Sequence, residues 1–561
     1  IQQGKMTYVD ETVSPAQRSE LKDLDLTVKD ISMVGGKTSF ELDAPISYNK
    51  MNYHLTVGGV LRYFLSGQSI KDLQVKGSVN DLAFGVSGSV QDMTGNYAPD
   101  LDGTASLDML KFAGLVPASL SQMPPGLSLT GPAEVAFHLG GNARDGLALS
   151  GTADGSKLAI AYKDLFVKTA STTCKVTFKT VNQLKRGMYD VPSFKVTYAD
   201  WEVDGAFHYR AGTSYSGEIH SKRLPFSGLS NMIPKLKKAA FDGTGSVDMT
   251  FSQALNKPNS FNVRGQVLLK GVGVSLPQEP YLRDLTGPIN FTGDAVRLPK
   301  MTFKSFDGTG AAGVTYGIHN QAYSYAFRLT GVNAQKAVDA SIDAYVTTKD
   351  FSAYKDKIFG TMNLAYAGLG RGLSGEAMID SALGEGNYSL VDAKIANLAA
   401  ITAVNKYFKD PSNQITFQKI AGTLNMKNKI FSYTADTIGK VGAIHETGGI
   451  DVSRMVYSPD MMVRADIKKD FINSDAVASG LPPAVRGLAK NVDVLTDAQG
   501  NIPVDFKFTG PVKNNQYAYD WTRITQNVEK HAGQALRKAA QGQLNNIGKN
   551  LGNQIKSLFG R

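Results

Sequence analysis

From Leu24 almost to Phe508 the chain alternates apolar and polar residues in short runs, each followed by a glycine-centred break. Val314, Tyr316 and Ile318 make one run, and Tyr323, Tyr325, Phe327 and Leu329 the next. Leu73, Val75 and Val79, then Leu82, Phe84, Val86 and Val90, repeat the pattern near the start. A period of two places every second side chain on one face of a strand. Helices of crossover length do not recur, so the pattern predicts a mainly β chain: one long sheet with an apolar face.

A slower repeat overlies the strands. Four amphipathic segments interrupt them: LDMLKFAGLVPASLSQ, LPFSGLSNMIPKLKKA, NAQKAVDASIDAYVTTKDFSAYKDK and KDFINSDAVASGLPPAVRGLAKN. New strands follow at Gly131, Gly243 and Gly360 and in NIPVDFKFTG, a spacing of about 115 residues that suggests stacked repeat units. The expected organisation is a continuous repeat β-groove over residues 1–510, then a linker and basic helix over 511–561. FDGTG occurs at Phe241 and again at Phe306, which reads as repeated turn chemistry, with Asp242 and Asp307 as turn residues.

The tail changes period. Ile524, Val528, Ala532, Ala535, Ala539, Ile547, Leu551, Ile555 and Leu558 fall mostly at steps of three or four, as on an amphipathic helix. Arg523, Lys530, Arg537, Lys538, Lys549, Lys556 and Arg561 oppose the single Glu529. Such a helix can lie on an anionic membrane, dock on a partner or cap the last strands. Arg537, Lys538, Lys549 and Lys556 are the candidate membrane or partner contacts.

Composition narrows the class. Charged residues are 20% and apolar residues 42%, too balanced for disorder or for a set of membrane spans. The 57 glycines fit many tight turns. A net charge of +10 without a basic, aromatic-studded stripe argues against nucleic acid as partner. The one cysteine, Cys174, lies in the alternating run Cys174, Val176, Phe178 and reads as a buried strand residue.

No catalytic constellation emerges. Histidines 54, 138, 208, 220, 319, 445 and 531 lack metal-ligand spacing, and His138 and His208, each in an alternating strand, read as strand-surface residues. GGKTS at Gly35 has Ile31 where a phosphate loop needs glycine. GxGxxG at Gly370, Gly372 and Gly375 lacks a βαβ setting and reads as a turn. No enzyme activity, cofactor or metal is expected.

The apolar face remains. Alternation assigns to it Leu55, Val57, Leu61 and Tyr63; Val135, Phe137 and Leu139; and Phe194, Val196 and Tyr198. Further along it takes Phe261 and Val263; Val314, Tyr316 and Ile318; Tyr325, Phe327 and Leu329; Met362, Leu364 and Tyr366; and Val504, Phe506 and Phe508. A second sheet could cover this face, as in a sandwich or closed solenoid. A curved single sheet would instead leave an open groove, where acyl chains gain roughly 0.8 kcal/mol per buried CH₂. Periodicity alone leaves both open.

The C-terminal third bears on the choice. SGEAMIDSALGEGNYSLVDAKIANLAAITAVNKYF, FQKIAGTLNMKNKIFSYTADTIGKVGAIHETGGIDVS and NIPVDFKFTGPVKN resemble, in order, the C-terminal region of the AsmA-like family of bacterial envelope proteins. GKMTYVDE followed by LKDLDLTVKDISM resembles that family's middle region. The resemblance implies an elongated, curved, taco-like β-sheet with an open hydrophobic groove, short crossing helices and a C-terminal amphipathic helix. It implies phospholipid as cargo, moved across a Gram-negative periplasm between inner and outer membranes in support of outer-membrane biogenesis. It also implies an inner-membrane anchor in a portion preceding this chain, and an outer membrane or outer-membrane protein as distal partner. The rival expectations are an assembly factor for outer-membrane proteins and a closed structural β-solenoid.

Overall fold

The computed structural model describes all residues except 11–16, 49–50, 81, 109–125, 184–185, 258–259, 276–279, 346–354, 373, 397–406, 410–413, 482, 487–491, 513–515 and 560–561. Among the described residues strands account for 65%. They form an open antiparallel sheet of 28 strands and a second sheet of three. The chain divides into two compact units, Ile1–Arg297 and Leu298–Arg561.

In the first unit most strands pair with their neighbours in sequence. Leu127–Thr130, Ala159–Tyr162 and Phe166–Lys168 are bypassed and make the three-stranded sheet. Lys168, 1% exposed, anchors this insert. Its Nζ donates to the carbonyls of Ser156, Leu158 and Thr169 at 3.2, 2.5 and 3.1 Å. An ammonium has three donors, and all three are used, which offsets much of the cost of burying the charge. Burial still pushes its pKa down.

Register explains the glycines. From Phe40 a row of directly opposed residues runs through Gly59, Val75, Val86, Gly103, Phe137 and Gly151. It continues through Phe178, Phe194, Gly205, Ile219, Met249 and Gly265 to Phe291, crossing 14 strands. Large residues and glycines are interspersed because rings lie flat over the neighbouring strand. A Cβ on Gly103 would stand 2.2 Å from Cζ of Phe137, and one on Gly205 would stand 2.8 Å from Cζ of Phe194. In the second unit Gly310 lies beneath Phe303, Gly368 beneath Tyr325 and Gly384 beneath Tyr366. The expectation that glycines mark turns therefore needs correction. Many sit in mid-strand, where the missing side chain makes room for a ring.

The two FDGTG segments also diverge. Phe306 and Asp307, both at positive φ, form the two-residue turn between the strands Ala295–Ser305 and Gly308–Gly317. Phe241 and Asp242 lie inside the strand Ala240–Ala254, where the register shifts between Asp242 and Thr244 around Gly243. Asp242 is thus a bulge residue, because its strand pairs past this point with Asn262–Ser275.

The crossing helices are short. The second predicted segment yields one helical turn, Leu229–Met232, and a 3₁₀ turn, Pro234–Leu236. The third gives the helix Ala334–Tyr345, and the fourth gives Ser474–Gly480 and Pro483–Arg486. The first falls almost wholly outside the described residues. The GxGxxG run ends a strand and then starts the helix Gly375–Ser381, whose N-cap Ser374 accepts from the Ala377 amide. The tail forms the helix Thr522–Phe559.

Gly103→Ala is expected to lift the Phe137 ring and lower stability by about 1–3 kcal/mol, as overpacking does. Adding Phe137→Leu should recover part of that loss in a chemical-denaturation double-mutant cycle. Strictly additive effects would show that the ring and the glycine do not depend on each other.

Candidate functional site

The second unit shows how the apolar face is built. Ala312, Phe327, Tyr366, Gly386 and Leu424 form one cross-strand row, flanked by Val314, Tyr325, Gly368, Gly384 and Met426. Tyr325 stacks on Tyr323, Phe327 and Tyr366 with centroids 6.1, 6.5 and 6.1 Å apart. These rings are half-buried, and the alternate residues Ser324, Ala326, Arg328 and Thr330 are exposed. The rings shield one another and the backbone beneath them. Burial, then the Tyr325 phenol, pushes the Tyr366 phenol up to about 12. Burial likewise raises Tyr325.

Helices cover this face in places. Ala334, at the start of the helix Ala334–Tyr345, joins Leu390, Ala393, Phe417 and Ile420 in a buried cluster near one end of the strands. At the other end the helix Gly375–Ser381 is tied down by the Tyr323 hydroxyl, which donates to the carbonyl of Met378. Between them Tyr325, Phe327, Leu329, Leu364 and Tyr366 remain half-buried.

Leu55, Val57, Leu61, Tyr63, Val135, Phe137, Leu139, Phe194, Val196, Tyr198 and Val263 are also half-buried strand residues in the first unit. Val314, Tyr316 and Met362 are half-buried strand residues in the second. Phe261 and Ile318 lie outside the strands. Phe261 precedes Asn262–Ser275 and is 49% exposed, and Ile318 follows Gly308–Gly317 and is 40% exposed. Each continues the sequence alternation past the point where the hydrogen-bond ladder ends. Cys174 is half-buried opposite Tyr198, and burial pushes its thiol pKa up.

Val504, Phe506 and Phe508 require a correction. They are 2%, 4% and 7% exposed, in a core closed by Val477, Leu481, Leu495, Ile524 and Val528. This part of the face is sealed by helices rather than open. Arg523 locks the lid: its guanidinium donates to both carboxylate oxygens of Asp505 and, at 2.7 Å, to Asp466. The paired carboxylates keep Arg523 firmly protonated. Of the candidate basic contacts, Arg537, Lys538 and Lys549 are exposed, and the side chain of Lys556 lies outside the described residues.

The opposite face is polar. Five of the seven histidines, 54, 138, 208, 220 and 445, meet an aspartate on the adjacent strand at 3.1 Å or less. These pairs are solvent-exposed, each worth up to about 1 kcal/mol, and stabilise pairing between strands. Shallow hollows run between the side-chain rows on this face. One in the first unit, of about 920 Å³, is bordered by Gln74, Lys76, Thr104 and His138. One in the second, of about 680 Å³, is bordered by Thr315, Ser324, Glu385 and Asn425.

Glu446 escaped the sequence reading. It shares the apolar face with Tyr433 and Ala435, two strands from the sealed Phe506. The Tyr433 hydroxyl donates to Glu446 Oε1 at 2.5 Å. The signal was present: in AIHETGG, Glu446 alternates in step with Ile444 and Gly448. Burial raises the Glu446 pKa, and the Tyr433 hydrogen bond opposes that rise. Burial and the nearby Glu446 push Tyr388 to about 12.

A carboxyl with a raised folded-state pKa takes up protons more readily in the native protein than when unfolded, near 4.3. Native stability therefore falls as pH rises through the interval between the two values. Glu446→Gln keeps an acceptor for Tyr433 and removes the ionisation. Its stability relative to the parent should grow from about pH 4 to pH 8 in denaturant titrations. A difference that is flat with pH would contradict the raised pKa of this carboxyl. No protein-family model, curated protein or solved structure matches the chain.

Proposed function

We propose that this protein carries phospholipids, holding acyl chains against its uncovered apolar rows with the headgroups in water. The observation that carries the reading is a half-exposed wall of rings and aliphatic side chains continued from strand to strand in register. Contiguous apolar surface beyond a few hundred Å² marks an interaction face. In the first unit the row from Phe40 to Phe291 crosses 14 strands, a path on the order of 60 Å at about 4.8 Å per strand.

The wall suits sliding cargo. Rings laid flat over glycines leave few upright knobs to fix a register, and burial of methylenes is non-directional. Binding would therefore be strong along the wall and weakly position-specific. The mechanism is passive, with flux set by a gradient or by partners at the ends. Resemblance to the AsmA-like family supports placing this carriage in the Gram-negative periplasm, between inner and outer membranes. Outer-membrane biogenesis is then the process served. This mechanism uses no catalytic residue and no cofactor other than the lipid cargo.

The test is extraction and mass spectrometry of lipid from the purified protein, with variants at open and sealed positions. Phe327→Asp and Tyr366→Asp should lower bound phospholipid several-fold while leaving the thermal midpoint within a few degrees. Phe506→Asp, which buries a charge beneath helices, should unfold its region instead. Lipid-free protein, or Phe327→Asp as disruptive as Phe506→Asp, would count against carriage and favour a structural sheet.

A further inference from the structure

The C-terminal helix has two apolar faces with different fates. Ile524 and Val528, 1% and 0% exposed, enter the sealed core. Arg523 and Asn527 fix the same turns, Asn527 through a 3.2 Å hydrogen bond to the Leu495 carbonyl. From Gln534 to Asn550 every residue is exposed. Leu536, Leu544 and Ile547 are 71%, 65% and 57% exposed. Leu536 and Leu544 were absent from the stripe read in the sequence.

At about 100° per residue, Leu536, Ala540, Leu544 and Ile547 fall within an arc of about 80°. The middle of that arc lies more than about 100° round the axis from Ile524 and Val528. The docked turns therefore do not occupy the distal stripe. Arg537 borders the stripe, and Lys538 and Lys549 lie on the face behind it. After Glu529 the sequence contains no Asp or Glu. Among the described residues no helix is long and apolar enough to cross a membrane.

We infer that residues 534–550 form a docking helix for an anionic lipid surface, lying in its headgroup plane while the first turns stay clamped to the sheet. Charge selects this occupant. A second copy of the helix would bring Arg537, at the edge of the stripe, against a surface with no acidic residue to pair with it, whereas an anionic bilayer gives Arg537 a counter-charge, attracts the wholly cationic segment and takes up the aliphatic stripe. The binding differs from acyl carriage: it uses the opposite end of the helix from the sealed core and none of the wall rings.

The experiment is co-sedimentation of the full chain with phosphatidylcholine vesicles, with and without about 30% phosphatidylglycerol, at low salt and at about 0.5 M salt. Binding should be at least ~10-fold stronger with the anionic lipid and should fall by a similar factor in high salt. The triple variant Leu536→Gln, Leu544→Gln, Ile547→Gln should lose it, with an unchanged thermal midpoint and unchanged co-purified lipid. Phe327→Asp should bind vesicles as the parent does, so failure of carriage and failure of docking are read separately. No sedimentation with anionic vesicles overturns the inference, as does sedimentation unaffected by the triple variant or insensitive to lipid charge. A dimer dissolved by the triple variant would assign the stripe to self-association and also overturn it.

Discussion

A sheet that leaves one apolar face without a second layer must protect its own backbone, and here rings laid over glycines provide that cover. Phe137 over Gly103, Phe194 over Gly205 and Tyr325 over Gly368 repeat the arrangement along both units. Each ring occupies the volume a side chain would fill on the adjacent strand, so it lies down instead of standing up. The ladder below is shielded, the phenols are desolvated, and the outer surface stays apolar. Every other property of the face depends on this pairing of large and absent side chains.

Cover is nevertheless local, and its boundaries define what the face can do. The start of one helix, at Ala334, joins the buried cluster of Phe417 and Ile420, and a larger set of helices seals Val504, Phe506 and Phe508, held by the Arg523–Asp505–Asp466 cluster. Glu446 stands near that second boundary. A carboxyl so placed is costly when ionised, and its hydrogen bond from Tyr433 recovers part of the cost. Open wall and sealed core thus lie on one face of one unit, distinguished by which segments fold back over them.

The C-terminal helix follows the same logic at its two ends. Its first turns complete the sealed core, and its distal turns present aliphatic side chains to water. Exposed leucines on a helix with no acidic partner are unfavourable in a solitary molecule. In the docking proposed above, an anionic apolar-cored surface would relieve the hydration of the stripe and give Arg537 at its edge a counter-charge.

Period two was legible directly, because alternate side chains of a strand must face opposite ways whatever packs above them. It identified the mainly β chain, the half-buried rows through Phe137, Phe327 and Tyr366, and the helical period of the tail followed from the same kind of reading. It overran at Phe261 and Ile318, since alternation carries no record of where hydrogen bonding stops. Glycine count suggested turns, and only cross-strand register revealed Gly103 and Gly368 as seats for rings from another strand. Phe506 alternates in step with Val504 and Phe508 as Phe327 does with Tyr325 and Leu329, yet nothing in its own neighbourhood tells that Val477, Leu495 and Ile524 close over it. Sequence determines which way a side chain points; burial is decided by residues far along the chain, and only their tertiary placement supplies it.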